Sequence, residues 1–138
     1  MSIKPHHDAL LKIMLIMSTA DGERPDKELN MIADLTRNLP VFKSVTADDL
    51  ILAIRATTIL LEESDDIDAL IEETAVSLPK PLRETAYALA VEVAAVDLMA
   101  TEEELRLLEL LRDTLNIDML LAAAVEASAR VRYRKDPR

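Results

Sequence analysis

A single glycine, Gly22, is the strongest constraint on what this chain can fold into. Two-residue hairpin turns, phosphate-cradling loops and dinucleotide-binding loops depend on backbone positions that glycine fills best. A chain of 138 residues with one glycine has almost no material for them. Helices need none, and apolar residues recur at helical spacing along nearly the whole sequence. The expected fold class is all-α: one compact bundle of about seven helices.

The first helix is expected over about His6–Ala20, with Leu10, Leu11, Met14 and Leu15 on one face, ending at Asp21-Gly22. Pro25 suits the first turn of a second helix, which turns Leu29, Ile32, Leu35 and Leu39 inward and stops before Pro40. Thr46 caps a third, with Leu50, Ile51, Ile54, Thr58 and Leu61 inward. The acidic run from Glu62 to Asp66 breaks it, and a short fourth helix covers about Asp66–Ser77. The fifth, about Leu82–Leu98, is apolar nearly all round, as a central helix must be. Thr101 caps the sixth, with Leu105, Leu108 and Leu111 inward. After Asn116-Ile117-Asp118 a seventh runs to about Tyr133. Residues 1–133 therefore read as one helical domain and 134–138 as a basic tail.

Composition narrows the function. With aromatics at 2%, the core must be aliphatic. The absence of cysteine excludes disulfides, thiolate catalysis and zinc-thiolate sites. A formal net charge of −10 disfavours nucleic acid as a partner and favours cations and basic proteins. Against that acidic body, Arg130, Arg132, Arg134, Lys135 and Arg138 cluster at the end. They could complement the negative end of the last helix or touch an anionic membrane surface. The apolar stretch Ala9–Met17 imitates a signal peptide, but Lys12 interrupts it and His6-His7-Asp8 is a poor flank. A cytoplasmic location is the default expectation.

Sliding the chain against itself by 76 residues aligns Met17–Leu39 with Val93–Leu115. Asp21 falls on Asp97, Glu28 on Glu104, Leu29 on Leu105, Leu35 on Leu111 and Leu39 on Leu115. The result is two pseudo-symmetric helix–turn–helix units. The leucine matches follow from any amphipathic helix, so the acids carry more information. Thr101 to Glu104 has the spacing of a capping box, which accounts for Glu104. The residue aligned with Thr101 is Pro25, which has no hydroxyl, so capping does not account for Glu28. Asp21 and Asp97 lie near helix C-termini, where a negative charge opposes the dipole. If the units converge, Asp21, Glu28, Asp97 and Glu104 present the oxygen donors that a divalent cation such as Ca²⁺, Mg²⁺ or Mn²⁺ prefers. The spacing fits neither an EF-hand nor a ferritin-like carboxylate site.

These residues resemble the TerB-like tellurite-resistance family. The resemblance rests on Ser18-Thr19-Ala20-Asp21-Gly22 with Glu28-Leu29, and on Ala94-Ala95-Val96-Asp97 with Glu104-Leu105. Arg83-Glu84-Thr85-Ala86-Tyr87-Ala88-Leu89-Ala90 and Leu107-Leu108-Glu109-Leu110-Leu111 add to it, and it covers all but the basic tail. It implies an all-helical pseudo-symmetric fold, acidic positions that bind metal, and association with tellurite resistance, stress response and membrane-linked metal-sensing complexes. One departure is Val96-Asp97-Leu98-Met99, which stands where the family has Ala-Asp-Gly.

Other candidates have simpler readings. His6 and His7 are adjacent on a helix and point apart, at an N-terminal start expected to be flexible. Glu92, on the apolar fifth helix, is expected to form a buried ion pair with an arginine such as Arg55. The methionines read as core packing. No nucleophile–base pair is visible, so the chain is not expected to be an enzyme. Two functions remain open: a metal-responsive module engaging protein partners, or a scaffolding domain whose acids only hold its turns.

Overall fold

The computed structural model describes residues 3–19, 26–96 and 101–137, and among these residues the fold is all-α, with seven helices and no strand. They are α1 (Pro5–Ser18), α2 (Asp26–Asn38), α3 (Ala47–Glu63), α4 (Ile67–Val76), α5 (Arg83–Ala95), α6 (Glu102–Thr114) and α7 (Met119–Arg132). Short 3₁₀ turns at Pro40–Phe42 and Lys80–Leu82 lead into α3 and α5.

The helix starts are written in side-chain chemistry. Thr46 and Thr101 each close a capping box. The Thr46 hydroxyl accepts from Asp49 N–H at 3.1 Å while an Asp49 carboxylate oxygen accepts from Thr46 N–H at 3.0 Å. Asp66 and Asp118 cap α4 and α7 by accepting from Ala69 and Leu121 N–H. At the end of α6, Asn116 takes a left-handed φ of 55°. Asparagine tolerates that region better than most residues. The Ile117 and Asn116 amides then donate back to the Arg112 and Asp113 carbonyls, which closes the helix with a Schellman motif.

Two helices, not one, are enclosed. α5 is buried as expected, but so is α1, in which Leu10, Leu11, Ile13, Met14, Leu15, Ile16 and Met17 are all inaccessible to solvent. The single face expected for α1 is too narrow because α2, α3, α4 and α5 all pack on it. α1 against α5 is the most extensive contact among the described residues, and α5 buries the small Ala86, Ala90 and Ala94 alongside Tyr87, Leu89, Val91 and Val93. Small residues on a buried helix let neighbouring backbones approach closely.

Two inward assignments fail at the surface helices. Ile51 is exposed on α3, where Leu50, Ala53 and Thr57 are buried instead. Leu105 is exposed on α6, while Leu107, Leu108 and Leu111 are buried. In each case a leucine or isoleucine was available on both sides of the helix, and the neighbouring helices decided which side sank. α3 also continues through Glu62 and Glu63, so the acidic run extends its last turn before the chain breaks at Ser64.

Candidate metal centre and its surroundings

Of the four acids singled out by the repeat, Asp21 and Asp97 lie outside the described residues. Glu28 and Glu104 are both buried, each in the first turn of its helix, α2 and α6 respectively. Both helices pack on α5. The repeat therefore places two carboxylates at matching points, each under cover. Glu104 is held by its cap: its Oε1 accepts from Thr101 N–H at 2.9 Å, and the Thr101 hydroxyl accepts from Glu104 N–H at 3.1 Å. A carboxylate at this point also lies in the favourable field of the helix N-terminus, as Glu28 does. Among the described residues no group of three or more histidine, aspartate or glutamate side chains gathers closely enough to hold a metal ion. Carboxylate oxygens are the donor type that hard divalent cations take, so the chemistry of Glu28 and Glu104 fits such an ion.

The histidines are not at a loose start. α1 begins at Pro5, and His7 is buried, with its Nε2 2.7 Å from the Val41 carbonyl and its ring 6.1 Å from that of Phe42. It ties α1 to the 3₁₀ turn before α3, a long-range role that sequence spacing does not disclose. Desolvation, with His7 and Lys4 nearby, lowers the His6 imidazole below its ordinary value. Asp8 pairs with Lys12 at 2.8 Å.

Glu92 does form an ion pair, but with Arg132 and not with Arg55. α3 packs on α1 and leaves Arg55 exposed, whereas α7 packs directly on α5. The Tyr133 hydroxyl also donates to Glu92, at 2.5 Å. The start of the basic segment is thus anchored to α5, while residues 134–137 are non-helical and exposed.

Sequence reasoning missed the cleft between α5, α6 and α7. It encloses about 460 Å³ and is lined by Tyr87, Val91, Leu108, Arg112, Glu126 and Ala129 among others. The Tyr87 hydroxyl donates to Glu126, whose carboxylate lies 3.9 Å from the Arg112 guanidinium. Burial and the Glu126 hydrogen bond push the Tyr87 hydroxyl far above its ordinary value, so it remains protonated. The only available signal was a tyrosine on an alanine-rich helix, since a buried hydroxyl needs a partner.

On the opposite flank of α6, Arg106 bridges Asp68 of α4 at 2.7 Å and Glu103 at 2.6 Å. Its hydrogen bonds hold both carboxyls below the usual carboxylate range. No described helix is long and apolar enough to cross a membrane. No family model, curated protein or solved structure matches the chain.

Proposed function

We propose that the chain is a TerB-like tellurite-resistance or stress-response protein, a non-catalytic cytoplasmic module that binds a divalent cation and engages protein partners. Asp21, Glu28, Asp97 and Glu104 supply the cation's oxygen ligands. The observation that carries this reading is the burial of Glu28 and Glu104 at matching first-turn positions of the repeat. Removing a carboxylate from water costs several kcal/mol unless charge and hydrogen bonds compensate, and a cation shared by these acids would add to the capping hydrogen bond that Glu104 already accepts. The motif resemblance around Asp21-Gly22 and Glu104-Leu105 points the same way. A non-catalytic role accords with a cysteine-free chain in which His7 is committed to the Val41 carbonyl.

Calorimetric titration of chelator-treated protein with Ca²⁺, Mg²⁺, Mn²⁺ and Zn²⁺ tests the reading. Binding is expected in the wild type and is lost in the Asp21→Ala/Asp97→Ala variant. Undiminished binding in that variant would remove the site. A second reading, a scaffold whose acids only hold turns, draws support from the capping box that already employs Glu104. Titration without heat for any of the four ions favours it.

A further inference from the structure

The cleft of about 460 Å³ between α5, α6 and α7 has the size of a small-molecule site. Its wall is apolar where it is deepest in the protein: Val91, Ala94, Leu108 and Ala129 line it and are all buried. Leu105, exposed on α6, lines it too, so an apolar body held in the cleft would cover that side chain. Among the charged lining residues, Glu109 and Arg130 contribute one charge of each sign and cancel. The other pair is Arg112 and Glu126. Both also line a neighbouring cleft of about 370 Å³, so the pair is part of the wall that the two clefts share.

Arg112 and Glu126 are unequally engaged. The buried Tyr87 donates its hydroxyl hydrogen to a Glu126 carboxylate oxygen, and that same oxygen lies 3.9 Å from an Arg112 nitrogen, beyond hydrogen-bond reach. A guanidinium holds five N–H donors in a flat fork that fits a carboxylate edge to edge. Its other near neighbour, the Tyr87 hydroxyl, offers a single oxygen. Tyr87 thus keeps Glu126 from pairing with Arg112 through two hydrogen bonds, and most of the fork stays open to another acceptor. We propose that the cleft binds an amphipathic monocarboxylate of the fatty-acid type, its carboxylate on the Arg112 fork and its chain against Val91, Ala94, Leu105 and Leu108. Since Glu109 and Arg130 cancel, the sign of the ligand is set by the less engaged member of the remaining pair, and that is Arg112. The net charge of −10 opposes an anion at long range, where salt screens it. The proposal does not rest on the cation site.

Equilibrium dialysis against sodium decanoate in chelator-containing buffer tests it. The chelator removes divalent ions, so retention of decanoate cannot come from a metal bridge. Wild-type protein is expected to retain decanoate and not acetate, which has the head group without the chain. No retention of decanoate overturns the proposal, and equal retention of acetate removes the apolar half of the site. Arg112→Gln is expected to weaken decanoate binding about tenfold or more. Unchanged binding in that variant overturns the placement of the carboxylate. The two neighbours of Arg112 should act with opposite signs. Glu126→Gln removes the competing carboxylate and should tighten binding about threefold, a gain that a misfolded variant cannot give. Tyr87→Phe frees Glu126 to turn onto Arg112 and should weaken binding; wild-type affinity there removes the positioning role of Tyr87. Weaker decanoate binding in Glu126→Gln, or retention of decylammonium in place of decanoate, contradicts the proposal.

Discussion

The two halves of the repeat bury their central helices with different side chains. α1 buries Leu10, Leu11, Ile13, Met14 and Ile16, while α5 mixes the small Ala86, Ala90 and Ala94 with Tyr87, Leu89, Val91 and Val93. The difference teaches that the symmetry is one of backbone arrangement and not of side chains.

The largest effect should come from attacking the comparison at its bulky side. Leu11→Ala, by leaving a cavity at a fully buried site, should cost about 3 kcal/mol in urea unfolding. At the small side the damage has the opposite cause. Ala90→Leu overfills a fully buried site and should cost about 2 kcal/mol. If Ala90→Leu were neutral, the packing around α5 would be looser than its burial implies.

The caps provide a sharper and smaller contrast. Thr101→Ala removes the hydroxyl that accepts from Glu104 N–H, and should cost about 1 kcal/mol. Thr46→Ala should cost about as much, since its box has the same form. A far larger loss for Thr101 would mean that Glu104 depends on its cap for more than local order.

Smallest is the clasp between α4 and α6. Arg106 lowers Asp68 and Glu103, so their stabilisation is present above the unfolded carboxylate pKa of about 4 and is lost as pH falls through the folded values. Both carboxylates are substantially exposed, so solvent screens the effect. The stability difference between wild type and Arg106→Gln, measured by denaturant unfolding, should shrink on acidification through that window.

Much of the fold was legible because its signals are local. One glycine, a run of helical spacing, and caps at Thr46 and Thr101 place the helices within a few residues. What failed depends on neighbours. Ile51 and Leu105 could face either way until the packing of α3 on α1, and of α6 on α4 and α5, chose the outward side. Arg55 was the expected partner for Glu92, but α7 and not α3 packs on α5 and brings Arg132 to it. For the candidate site, the sequence named Glu28 and Glu104, and their burial is the added fact. Their two companion acids lie outside the described residues.

Glu28 separates the functional readings best, because Pro25 stands where Thr101 stands before Glu104, so a capping box of that form does not explain it. Thermal unfolding of chelator-treated protein, with and without Mn²⁺, should be compared for wild type and Glu28→Gln. A ligand held only by the folded state stabilises it by about 2.7 kcal/mol at a hundredfold excess over Kd. The account predicts a rise in wild-type Tm with Mn²⁺ and little or none in Glu28→Gln. An equal rise in both proteins would contradict it.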